Sequence, residues 1–107
     1  MMDLDSQIVI RSRDYWFKIV EFLQQNWALI DVETDHAMVW FFDDTSGVFD
    51  KLTFATVAEA EAALRRNGFR RFADDPKVQE ILAAPQPSFH YRPHPNGPIY
   101  SSGRYWK

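Results

Sequence analysis

The sequence predicts an α+β fold. Its core is an antiparallel meander of three to four strands with a long N-terminal helix and a capped second helix packed on it. A short third helix and a proline- and aromatic-rich C-terminal strap follow. Three observations lead there. Polar residues recur at steps of four, three and four from Asp14 through Lys18 and Glu21 to Gln25, which is helical spacing. The β-branched and aromatic runs Trp27 to Val32 and Ala37 to Phe42 are followed by turn residues and a third run, Val48 to Phe54. Thr56 and Glu59 form a capping box that opens an alanine-rich helix.

In order, Ile8-Val9-Ile10 is a short strand between Gln7 and Arg11. Ser12 is placed to cap a helix over about 13–25, with Asp14 in its first turn. Tyr15, Trp16, Ile19, Val20, Phe22 and Leu23 fill the dry side of that helix, and Asn26 breaks it. The run Ala37 to Phe42 is apolar on both sides of the pleat. It is expected to be a central strand covered twice, or to carry an aromatic face that something else covers. Asp43-Asp44-Thr45-Ser46-Gly47 is turn chemistry, with Gly47 available for a positive φ, and Val48 to Phe54 returns as the hairpin partner. In the next helix Val57, Ala60 and Leu64 face inward, Glu61 and Arg65 pair at i,i+4, and Asn67-Gly68 closes the end. Phe69 to Phe72 is an ambiguous short strand. Asp74 or Asp75 caps a third helix with Pro76 at its first position, and Pro85 ends it. The helices are expected mostly on one face of the sheet.

The 107 residues, 46% hydrophobic and 25% charged, fit one globular domain. Its two parts differ in charge. Residues 85–107 hold five of the six prolines and no acid, and carry +3 from Arg92, Arg104 and Lys107. Residues 1–84 carry −6, nine bases against fifteen acids. The expected division is therefore a core over 1–84 and a segment over 85–107 that packs on the core or on a partner. Phe89, Tyr91, Ile99, Tyr100, Tyr105 and Trp106 make that segment richer in aromatics than disordered chains are. With no cysteine there is no disulfide, thiolate metal site or cysteine nucleophile. No apolar run approaches the roughly 20 residues of a membrane span. The acidic start Met1-Met2-Asp3-Leu4-Asp5 lacks a signal-peptide core, so a cytoplasmic location is expected.

Constellations that carry chemistry are few. His90 and His94 are four apart, but Pro93 between them opposes a helical ligand pair. His36 stands beside Asp35 at a strand start. Ser46, Ser101 and Ser102 lie in no nucleophile elbow. Asp44-Thr45-Ser46-Gly47 departs by one residue from an aspartic-protease loop and reads as a hairpin turn. The six acids between Asp31 and Asp50 read as a solvated rim protecting strand edges. The four glycines are dispersed and make no phosphate loop. The expectation is no catalytic residue, no cofactor and no metal.

The basic cluster is the candidate binding surface. Arg65, Arg66, Arg70 and Arg71 bracket Asn67-Gly68-Phe69, and the combination of arginine with aromatics recurs at Arg92, Tyr100, Arg104 and Trp106. This is the chemistry of protein hot spots and also of phosphate contact with base stacking. A plainer reading makes Phe69 and Phe72 core residues and pairs the arginines with Asp74, Asp75 and Glu61. The αβββα order over residues 13–66 resembles double-stranded RNA-binding domains in topology. That family grips phosphate with a lysine-rich start to its second helix. Here the start is Thr56-Val57-Ala58-Glu59-Ala60-Glu61, which is acidic and repels phosphate, so the family's function does not carry over. The leading expectation is a small non-catalytic protein-binding module of adaptor or inhibitor type, with self-association as one form. A nucleic-acid-binding module, which the net charge of −3 disfavours, and a small enzyme using His36, His90 or His94 are the alternatives.

Overall fold

The computed structural model describes residues 7–19 and 25–92. Its elements are β1 (Gln7–Ile8), β2 (Trp16–Ile19), β3 (Gln25–Val32), β4 (Ala37–Phe42), β5 (Gly47–Phe54), α1 (Val57–Arg66), β6 (Arg70–Arg71), a 3-10 turn at Phe72–Asp74, α2 (Pro76–Ile81) and β7 (Phe89–Tyr91). The strands form one seven-stranded mixed sheet in the order β1-β7-β5-β4-β3-β2-β6. Every neighbouring pair is antiparallel except β5–β7, which is parallel.

This architecture corrects the expected one. There is no long N-terminal helix over 13–25: residues 16–19 are strand β2, and β3 begins at Gln25. The neighbours Trp16 and Phe17 are both buried, at 1% and 3% exposure, one beneath each face of the sheet. Only the two-residue period of a strand sends adjacent side chains to opposite sides. Tyr15-Trp16-Phe17-Lys18-Ile19 is also aromatic and β-branched, a composition suited to a pleated surface. Ser12 does not cap a helix. Its N–H donates to Asp31 (2.8 Å) and its hydroxyl accepts from the Asp14 N–H (3.2 Å), which makes a local turn instead. With that helix gone, the topological likeness to RNA-binding domains lapses.

The helices also divide between the faces. α1 packs over β3, β4 and β5. Beneath it Ala60, Leu64 and Phe69 meet Trp16, Ala28, Ile30, Val39 and Phe41. The opposite face is covered by Ile10, Tyr15 and Phe89, with Phe72, Val78 and Leu82 from the α2 region packed alongside. They close over Phe17, Trp27, Leu29 and Phe42, and edge-to-face rings link the layer, Trp27–Phe72 at 5.3 Å and Phe42–Phe89 at 5.0 Å. The buried Tyr15 hydroxyl donates to the Pro85 carbonyl at 2.6 Å. β4 is thus central and covered on both sides.

Local chemistry explains the rest. At the β4–β5 turn, Asp43 Oδ1 accepts from the Thr45 hydroxyl (2.7 Å) and from the N–H groups of Thr45 and Gly47 (both 2.9 Å). The positive φ there belongs to Ser46 (67°), not to Gly47. Gly47 is needed for space: a Cβ on it falls 2.8 Å from Arg92 Cβ. Thr56 Oγ1 accepts from the Glu59 N–H (3.1 Å), while Glu59 accepts from the Ala55 N–H (3.2 Å), so the capping box closes one residue earlier than the usual pattern. Asp75 accepts from the Val78 N–H (3.2 Å) at the start of α2. The acidic rim is also modified by the fold. Asp31 is buried at 3% exposure and accepts from the backbone N–H groups of Arg11 and Ser12. It pins residues 11–12 over β3.

Candidate functional site

The site is assembled at the β2–β6 flank of the sheet. β6 pairs with β2 so that Arg71 lies opposite Trp16 and Arg70 opposite Phe17. Pleating then sends Arg71 to the α1 face and Arg70 to the other. Arg65, in the last turn of α1, reaches the same Trp16 ring. Its guanidinium lies 4.9 Å from the ring centroid and that of Arg71 lies 4.8 Å from it. Arg70 lies 5.9 Å from the Phe17 ring.

Carboxylates hold each of these arginines. Arg71 meets Glu61 at 2.6 Å and Asp14 at 3.2 Å, Arg70 meets Asp75 at 2.7 Å, and Arg65 meets Glu61 at 4.0 Å. A groove of about 370 Å³ opens between them, lined by Arg65, Phe69, Arg70, Arg71, Asp74 and Asp75. Its floor is Phe69, a core residue whose ring lies tilted against that of Phe41 at 5.7 Å. Lys18 extends past Gly68 and over Phe69, and burial lowers its pKa.

The sequence-predicted residues divide accordingly. Arg65, Arg70 and Arg71 come together in the groove. Arg66 does not line it. Arg92 is elsewhere: it follows β7 and donates to the Thr45 hydroxyl (2.8 Å) beside Asp43. Five strand spacings separate β7 from β6, roughly 24 Å at about 4.8 Å each. Tyr100, Arg104 and Trp106 lie outside the described residues. Trp16 and Asp14, which helical spacing assigned to other roles, hold the groove's arginines without lining it, and sequence reasoning missed them. The aromatic and β-branched run around Trp16 was the signal that could have found them.

The described histidines do not converge. His36 sits with Nδ1 2.7 Å from Asp35, whose pKa its neighbour lowers, just before the Ala37 that pairs with Phe54. His90 pairs with Gly47 at the other end of β5, roughly 24 Å away at about 3.4 Å per residue. Among the described residues no group of three or more His, Asp or Glu side chains is arranged to hold a metal, and no helix is long and apolar enough to cross a membrane. Comparison with family models, curated proteins and solved structures returned no match.

Proposed function

We propose that this chain is a cytoplasmic, non-catalytic protein-binding module whose contact surface is the Arg65–Arg70–Arg71 groove. The observation that carries this reading is the stacking of two guanidinium groups on one buried Trp16 ring while Glu61 engages both. Arginines held on a ring and a carboxylate lose little side-chain freedom when a partner arrives, which is the economy of a protein hot spot.

The same geometry counts against nucleic acid. Trp16 and Phe17 are buried beneath the guanidinium groups, so neither of these two rings offers a face for a base to stack on. The three arginines are set against Asp14, Glu61, Asp74 and Asp75, so the groove offers no excess positive charge to phosphate.

The test is capture from lysate by the tagged chain, with and without nuclease, alongside an Arg65→Ala/Arg70→Ala variant. Both side chains are more than half exposed, so the variant should remain folded. A protein that survives nuclease and is lost with the variant supports the reading. Material lost with nuclease, or retained by the variant, refutes it.

A further inference from the structure

A second pocket lies at the other flank of the sheet, where β1 pairs with β7 and Ile8 stands opposite Phe89. It measures about 200 Å³. The core residues Ile8, Ile10 and Phe89 give it apolar walls, Val9 and Ser88 are its exposed members, and Arg13 completes it. Among the described residues no carboxylate lines it. The Arg13 guanidinium is held in place by neutral groups alone. It lies 5.4 Å from the centre of the Phe89 ring, and its Nη1 donates to the carbonyls of Ile10 (2.5 Å) and Ser12 (2.6 Å). Arg11, Arg65, Arg70, Arg71 and Arg92 each meet a carboxylate. Among the described residues none meets Arg13.

We propose that this pocket binds a small monocarboxylate with a short apolar body, its carboxylate on Arg13 and its apolar end against Ile8, Ile10 and Phe89. Both N–H groups of Nη1 are taken by the backbone. Nε and Nη2 remain, and together they form the fork that receives a carboxylate through two parallel hydrogen bonds. An uncharged apolar molecule would leave that fork unanswered, and inorganic phosphate would leave the apolar walls unfilled. The ring and the two carbonyls hold the guanidinium before a ligand arrives, so little side-chain freedom is lost on binding. The volume is below the roughly 300–1,000 Å³ of sites for drug-sized ligands, which limits the apolar body to a short aliphatic group. That chemistry is found on a free aliphatic acid and at the C-terminus of a peptide ending in leucine.

The test titrates isocaproate into the isotope-labelled chain and follows the amide resonances, with isocaproamide as the uncharged control. Saturable one-to-one shifts are expected at residues 8–13 and 88–89. The control should bind about tenfold more weakly or worse, because it gives up the charge-assisted pair. Arg13→Gln should weaken isocaproate by a similar factor. Because Arg13 also bonds to two backbone carbonyls, Val9→Glu is the second variant. Val9 is 81% exposed, so a carboxylate there competes for the fork without disturbing the core, and binding should again fall. Unchanged resonances away from the pocket show that both variants fold. N-acetyl-glycyl-leucine separates the two sources: tighter binding than isocaproate marks a chain end, weaker binding a free acid, and either supports the site. Failure of both acids to saturate, equal binding of isocaproate and its amide, or full binding by both variants overturns the proposal. Arg65→Ala/Arg70→Ala should leave this binding unchanged, so the pocket and the groove are tested separately.

Discussion

Asp31 offers the sharpest test of how the structure holds together. Its carboxylate is buried and accepts from the Arg11 N–H at 3.0 Å and the Ser12 N–H at 2.8 Å. These bonds tie down the segment that carries Ile10 and Tyr15 onto the core. Asp31→Ala orphans two partly buried donors, each costing about 1–3 kcal/mol. The Arg11 guanidinium, 3.9 Å away and mostly exposed, adds little. The expected loss is about 3 kcal/mol, a large share of the roughly 5–15 kcal/mol that holds a domain of this size. The corresponding fall in Tm is about 10–15 °C. Asp31→Asn keeps one acceptor oxygen but turns an amide toward the donors, so about half that loss is expected. Urea unfolding followed by tryptophan fluorescence measures both, and hydrogen exchange at Arg11 and Ser12 should speed up in step. A loss below about 1 kcal/mol in Asp31→Ala, with an unchanged denaturant slope, would refute the argument that this carboxylate pins the segment.

Two further perturbations follow from the same packing. Tyr15→Phe removes the hydroxyl bonded to Pro85 and should cost about 1–2 kcal/mol in equilibrium unfolding. Burial raises the Tyr15 pKa above 10.0, an effect that Arg13 partly opposes. The unfolded chain therefore releases this proton first, and stability present below pH 10 falls as pH rises beyond it. Tyr15→Phe should flatten that alkaline loss, and an undiminished loss in the variant would assign it to other groups. Gly47→Ala drives a methyl to within 2.8 Å of Arg92 Cβ and 2.9 Å of the Asp43 carboxylate. A loss of about 1–3 kcal/mol is expected, and wild-type stability in that variant would contradict the packing at the turn.

Much of the chain's middle was legible because its signals are local. The Asp43 turn, the Thr56–Glu59 cap and the Asp75-Pro76 helix start need only neighbours in sequence to act. The errors arose where the deciding contact is distant. Asp14, Lys18 and Gln25 mimic a wet helical stripe, but Asp14 reaches Arg71, Lys18 lies on Phe69 and Gln25 accepts from the Trp27 indole. What makes residues 16–19 a strand is β3 on one side and β6 on the other, and β6 is more than fifty residues away. The two- and three-residue strands β6 and β7 carry no pattern of their own and exist through pairing. The site follows the same rule. Arg65, Arg70 and Arg71 were visible as a cluster. Trp16 was not, because the polar residues around it mimic helical spacing. The distance of Arg92 from them is set by the sheet order, which spacing does not carry.

The central claim is that the Arg65–Arg70–Arg71 groove receives a protein. Hydrogen exchange of the chain, alone and in complex with the protein it captures, tests this most directly. Added protection is expected at the last turn of α1 and through residues 69–75. Protection confined to other surfaces, with residues 69–75 exchanging as in the free chain, would contradict it.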